Sequence, residues 1–189
     1  VSINPGALSV QPQLAEQWSI SPDGRVFSFK IRKDVLFHPH KNFASQEERK
    51  LSVNDVLYSF EQACLPNEKG EASSAYLTLF ASQVTGAKEF YEGKAKSVKG
   101  FKIKGDEFEL TLEKPDPNYI NKLAQVNAAI VSKKIGESKS KDCIGTGPFV
   151  FAEILDGEQK QIVLTKNNDY YLSDKNGNAL PYLDSVVFI

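Results

Sequence analysis

Apolar and polar residues alternate with a period of two over two stretches, and a turn pair breaks each alternation. In the first, Trp18 and Ile20 alternate with polar neighbours, Ser21-Pro22-Asp23-Gly24 interrupts, and Phe27, Phe29 and Ile31 then alternate with Ser28, Lys30 and Arg32. Successive side chains of a strand point to opposite faces, so this pattern predicts an antiparallel hairpin with one buried face. Asp and Gly suit its turn because they tolerate positive φ at little cost. In the second, Phe101 and Ile103 alternate with lysines, Gly105-Asp106 turns the chain, and Phe108, Leu110 and Leu112 alternate with Glu109 and Thr111. Lysines on one strand then face glutamates on the next, a favourable cross-strand arrangement.

Helical spacing appears between and after these hairpins. Ser52-Val53-Asn54-Asp55 reads as a capping box with Asp in place of Glu, and Val56, Leu57, Phe60 and Cys64 follow on one face up to Pro66. Residues 67–74 read as a polar loop. Tyr76, Leu79, Phe80, Val84, Ala87 and Phe90 fit one helical face over 75–91, with Gly86 a point of interruption. Asp116 can cap a helix with Pro117 in its first position, carrying Tyr119, Ile120, Leu123 and Ala124. Ala128-Ala129-Ile130-Val131 is strand-like. The last third returns to strands at Phe149-Val150-Phe151, after a Gly-Pro turn, at Ile162-Val163-Leu164, after an Asp156-Gly157 turn, and at Ser185–Ile189. The order predicts a mixed α/β fold with antiparallel hairpins rather than regular βαβ winding.

Composition narrows the picture only by exclusion. The 189 residues are 41% hydrophobic and 25% charged with a formal net charge of -1, which gives no bulk electrostatic case for nucleic acid or an acidic membrane surface. No apolar run approaches the roughly 20 residues that span a bilayer. The sequence contains no methionine and closes on an apolar strand pattern, so an excised piece of a longer protein is expected, any targeting segment having gone with the rest. Cys64 and Cys143 fit two buried thiols or one long-range disulfide, and their spacing does not choose between them.

Candidate chemistry is sparse. His38 and His40 form an H-x-H in a polar loop without a third ligand at a telling distance, so a solvated loop is preferred and no metal site is assigned. Asp55 is explained as a helix cap. Lys94, Lys96, Lys99, Lys102 and Lys104 lack interleaved aromatics and read as a solvated face. Gly145-x-Gly147 is followed by Pro148 and a strand, which removes the helix N-terminus a phosphate loop requires. No nucleophile elbow, paired carboxylates or Cys–His motif stands out, and the expectation is no enzyme, no cofactor and no metal.

The wording of particular stretches goes further. Gln13–His38 resembles the signature near the N-terminus of family 5 extracellular solute-binding proteins, the oligopeptide-, dipeptide- and nickel-binding components of ABC importers. The resemblance rests on Leu14, Ala15, Glu16, Trp18, Asp23, Gly24, Phe29, Ile31, Arg32, Val35, Phe37 and His38. Ser52 to Val56 with Ser59-Phe60-Glu61, then Gly145 to Phe149, then Asn167-Asn168-Asp169-Tyr170, then Leu180 to Asp184 match further family phrases in the same order. Pro39-His40 and the insertion-like Lys41–Lys50 depart from the family pattern, which has an Asp-Gly after the His.

The resemblance implies part of the first lobe of a two-lobed binding protein. Residues 1–64 and 144–189 would be its sheet-bearing part and 65–143 a smaller insert subdomain, with the second lobe absent after 189. It also implies a monomeric, extracytoplasmic protein, periplasmic or at the cell surface, that captures a short peptide or other small solute. The protein would deliver that solute to an ABC permease and ATPase without covalent chemistry. A sensor or interaction module on the same scaffold is the alternative, and an enzyme the more distant one. One ligand-binding residue is carried over, Tyr76 in Ser74-Ala75-Tyr76-Leu77. The same residue is equally a core position on its helical stripe.

Overall fold

Two short antiparallel strands open the chain, β1 (Ser2–Asn4) and β2 (Ser9–Gln11). Strands of three residues are too short to announce themselves by alternation, and the sequence did not foretell them. The structure is a computed structural model describing residues 1–4, 6, 9–138, 140, 142, 144–156 and 159–189. By compactness these fall into two units, 1–32 with 52–130 and 33–51 with 131–189.

The first unit is built on both expected hairpins. The first comprises β3 (Ala15–Ile20) and β4 (Val26–Ile31), and the second β5 (Phe101–Lys104) and β6 (Glu107–Thr111). They join into one antiparallel sheet of order β3-β4-β6-β5, with Phe27 opposite Leu110 and Phe29 opposite Phe108. The first turn closes as its chemistry suggests: Gly24 has φ +69°, and the Asp23 carboxylate accepts from the Arg25 N–H at 3.2 Å. Lysines do face glutamates across β5 and β6, and Lys104 pairs diagonally with Glu109 at 2.7 Å.

The buried face of the first hairpin is narrower than expected. Phe27, Phe29 and Ile31 are buried, but Ile20 is exposed and Trp18 only half-buried. Sheet order explains the difference, because β4 is internal whereas β3 lies at the edge.

Helix α1 (Val53–Ala63) begins at the expected cap, where the Asp55 carboxylate accepts from the Ser52 N–H at 2.9 Å and from its hydroxyl at 2.6 Å. It packs on β5 and β6 and carries Phe60 into a ring cluster, with centroids 5.1 Å from Phe80, 5.8 Å from Phe101 and 5.6 Å from Phe108.

The stripe from Tyr76 to Phe90 does not form one helix. Tyr76–Phe80 is a π-helical turn, the chain turns again, and only then comes α2 (Ala87–Tyr91). The break is at Gly86, which has φ +78° and where an added Cβ would lie 2.7 Å from that of Lys99. The backbone passes Lys99 too closely for any side chain, in a conformation a right-handed helix cannot continue through.

Two further expectations change. The helix after Pro117 is a single turn, α3 (Tyr119–Lys122), because the Asp116 carboxylate accepts from the Asn118 N–H at 3.0 Å and holds a turn before it. Tyr119 is fully buried, and its hydroxyl donates to the Leu79 carbonyl at 2.8 Å. At Ala128–Val131 the structure has the end of a 3-10 turn, Val126–Ala128, and then unpaired chain. Nothing among the described residues pairs with it as a strand.

In the second unit, residues 33–51 double back on themselves through a Leu36–Lys50 bridge and a 3-10 turn at Glu47–Arg49. A short helix absent from the expectations follows, α4 (Lys133–Glu137), in which the Ser132 hydroxyl accepts from the Ile135 N–H at 3.5 Å. Strands β7 (Phe149–Leu155), β8 (Gln161–Lys166) and β9 (Ser185–Phe188) then form an antiparallel sheet in that order, where strands were expected. The expected Asp156-Gly157 turn includes Gly157, which lies outside the described residues, as does Cys143.

All sheets are antiparallel, so the fold is mixed α/β. The lobe map implied by the resemblance concerns a whole two-lobed protein. Within this chain compactness draws another line, because β4 pairs with β6 and so binds residues 26–31 and 107–111 into one sheet.

Candidate functional site

Two places hold the residues singled out by sequence. The first is Tyr76, at the start of the π-helical turn. Its N–H donates to the Ser73 hydroxyl at 2.9 Å, and its ring stacks on Tyr91 with centroids 4.4 Å apart and planes 16° from parallel. The side chain is buried, and burial pushes its hydroxyl above the usual tyrosine range. What the turn presents outward is its neighbours: Leu77 is exposed, and the Asn127 amide donates to the hydroxyls of Ser74 at 3.2 Å and Thr78 at 3.4 Å.

The second place joins three motif stretches far apart in sequence. The Phe37 N–H donates to the Arg49 carbonyl at 2.7 Å and the Leu51 N–H to the Val35 carbonyl at 2.9 Å, which fixes the direction of Phe37-His38. The His38 N–H then reaches the Gly145 carbonyl at 2.7 Å. Its buried ring uses both nitrogens: Nδ1 accepts from the Gly145 N–H at 3.3 Å, and Nε2 lies 3.0 Å from the Gly147 carbonyl. An amide N–H can only donate and a carbonyl can only accept, so the ring is neutral with its proton on Nε2. Burial pushes the imidazole below the ordinary histidine value; the Gly147 bond opposes this and the nearby Arg49 charge adds to it.

Gly147 also accepts from the Asn167 side-chain amide at 2.8 Å, and the Asn167 N–H donates to the Pro148 carbonyl at 2.9 Å. The Asn167 side-chain oxygen accepts from the Asp169 N–H at 3.0 Å, the Asp169 carboxylate pairs with Arg49 at 2.7 Å, and Arg49 Nε donates to the Phe37 carbonyl at 2.9 Å. The circuit closes on itself and spends the polar groups of all three motifs.

That closure decides what the cluster can do. His40 is separately occupied, with Nε2 2.7 Å from Asp142 and Nδ1 accepting from the Asn42 N–H at 3.1 Å. Hydrogen bonds from His40 and Ser140 hold the Asp142 carboxyl below its usual range. Both histidines of the H-x-H are therefore engaged, and among the described residues no cluster of three His, Cys, Asp or Glu side chains could hold a metal. The Gly145 N–H points at His38 rather than outward, so the Gly-rich turn presents no anion cradle there. Cys64 is fully buried and its thiol is pushed up to about 12 by burial, which removes its nucleophilic form. A hollow of about 350 Å³ in the second unit is lined by Lys33, Asp34, Leu36, Gln46, Glu47 and Lys50, charges of both signs in place of the apolar lining typical of ligand pockets.

Sequence reading marked His38, Gly145–Phe149 and Asn167–Tyr170 as family phrases but missed Arg49, which ties two of them together. No local pattern sets Arg49 apart from its charged neighbours.

Comparison with known proteins follows the same stretches. Residues 9–189 match the family described as bacterial extracellular solute-binding proteins, family 5 Middle. The chain is 29% identical over 199 residues to Di/tripeptide-binding protein 4 of Pseudomonas aeruginosa, covering 100% of this chain and 34% of that protein. It is 31% identical over 177 residues to Heme-binding protein A of Haemophilus influenzae, covering 88% of this chain and 30% of that one. Among solved structures, the ABC transporter-associated periplasmic binding protein DppA of Helicobacter pylori, in complex with peptide STSA, superposes with a TM-score of 0.72. It shows 28% identity, over 98% of this chain and 35% of the other. A periplasmic oligopeptide-binding protein of Borrelia burgdorferi gives a TM-score of 0.76 at 25% identity, with 98% and 35% covered. The chain spans about a third of the length of these relatives. The chain belongs to the bacterial extracellular solute-binding proteins of family 5, a family of binding proteins and not of enzymes.

Proposed function

We propose that the protein of which this chain forms a part captures a short peptide outside the cytoplasmic membrane and hands it to an ABC permease and ATPase. Capture would proceed by closure of two lobes around the ligand, binding without covalent chemistry. The observation that carries this reading is the family match over 9–189 together with the likeness, at 28% identity, to a periplasmic binding protein in complex with a peptide. In this reading residues 1–64 and 144–189 belong to the sheet-bearing part of the first lobe and 65–143 to its insert subdomain. Tyr76 approaches the ligand through the edge of its ring, since one face is covered by Tyr91.

A second reading has a specific observation behind it. Heme-binding protein A is 31% identical over 177 residues, so an iron porphyrin is the rival ligand. Calorimetry on the full-length protein with di- and tripeptides and with haem separates the two. Saturable peptide binding with no haem binding supports the proposal, and the reverse replaces it.

A further inference from the structure

The sheet of the second unit is unusual in having no buried residue in any of its three strands. Pairing places Phe151 opposite Leu164 and Leu164 opposite Val186; likewise Ile154 is opposite Ile162 and Ile162 opposite Phe188. Directly opposed residues share a face, so these six apolar side chains form one continuous surface. Four of them are open to solvent: Phe151 is 40% exposed, Ile154 46%, Ile162 40% and Phe188 55%. A three-stranded sheet holds together in water only when one face is covered, and this face is apolar throughout.

The two edges of the sheet differ. The outer edge of β7 carries a bulge between Phe151 and Glu153 and the Glu153 charge itself, both of which discourage another strand from pairing. The outer edge of β9 is Ser185-Val186-Val187-Phe188, with no charge, proline or bulge. The Lys166 N–H donates to the Asp184 carbonyl at 2.8 Å, and antiparallel bonding alternates. Val186 and Phe188 therefore turn their N–H groups to β8, while Ser185 and Val187 turn theirs outward. Among the described residues nothing pairs with them.

We propose that further polypeptide of the same protein, outside these 189 residues, adds a strand to the outer edge of β9 and covers the Phe151–Ile162–Phe188 face. The inference rests on the reading of the chain as part of a longer binding protein. The occupant is favoured over a second copy because relatives carrying the matching region are about three times as long, so each has chain of its own to supply. An edge without protective features is one that is paired in the finished protein, while the opposite edge, which is protected, is left free.

Residue-resolved amide exchange on the full-length protein tests this, measured alongside calorimetric peptide binding. The Ser185 and Val187 amides should exchange roughly 100-fold or more slowly than unstructured chain, at a rate independent of protein concentration and of added peptide. Cysteines placed at Phe151 and Phe188 should resist a thiol reagent in the full-length protein. Fast exchange at Ser185 and Val187 with peptide binding intact would overturn the inference and leave the proposed function standing. Protection that grows with protein concentration would assign the edge to a second copy, and protection only on adding peptide would assign it to the ligand; either also overturns the inference. Slow exchange without any peptide binding would support the inference and count against the proposed function.

Discussion

Replacing His38 with alanine removes both ring contacts at once. The Gly147 carbonyl keeps its bond from Asn167, but the Gly145 N–H loses its only acceptor named here, the His38 ring. An amide stranded in this way costs about 1–3 kcal/mol, and loss of the second bond adds about 0.5–1.5 kcal/mol, so opening of the 38–145 contact should become easier by about 2–3 kcal/mol. Exchange of the His38 amide, which donates to Gly145 at 2.7 Å, should accelerate by roughly 30- to 150-fold in His38→Ala, and by less in His38→Gln, which can restore one bond but not both. The same geometry fixes the response to pH. A ring whose value is depressed on folding stabilises the contact fully above the ordinary histidine value, and the contribution is lost as pH falls through the folded value. Nitrogen-resolved NMR should find the Nε2–H neutral form at pH 7 and titration below the usual range. An Nδ1–H tautomer, a raised value, or unchanged amide exchange in His38→Ala would refute the closed circuit.

Three other substitutions and comparisons bear on the first unit and on the division of labour. Phe60→Ala should cost about 3–5 kcal/mol by chemical denaturation, because it empties the centre of the Phe60, Phe80, Phe101 and Phe108 cluster; a loss under 1 kcal/mol would show that the cluster does not hold α1 on the sheet. Gly86→Ala should destabilise by about 1–3 kcal/mol, since the position combines positive φ with a 2.7 Å approach to Lys99, and a neutral result would contradict the break between the two helical turns. The 189-residue chain alone should bind peptides feebly or not at all in calorimetry, because the second lobe of the proposed clamp is not in it; tight stoichiometric binding would show that the ligand needs only this portion.

Much of the fold was legible because its devices are local. Alternation and a Gly-containing turn announce β3–β4 and β5–β6, and Ser52 with Asp55 announces α1 within one turn of its start. What failed depended on neighbours distant in sequence. Ile20 alternates as well as Phe27 does, yet only the strand between two others is buried, and β3 has a single neighbour. Tyr76 to Phe90 carries a continuous helical stripe, but the approach of Lys99 makes Gly86 a corner. The motif cluster lay furthest out of reach. His38, Gly145 and Asn167 were readable as phrases, but their use as one hydrogen-bonded circuit closed by Arg49 and Asp169 depends on contacts between residues more than a hundred positions apart. That circuit also changes what the phrases mean: in this chain they hold the backbone in place, and the recognition chemistry is assigned elsewhere.

The most direct measurement is the identity of the molecule that co-purifies with the full-length protein, read by native mass spectrometry and sequenced after release. The account requires a short peptide at one copy per protein, displaced by added di- or tripeptide. Bound haem that peptides do not displace, or a ligand chemically converted while bound, would contradict it.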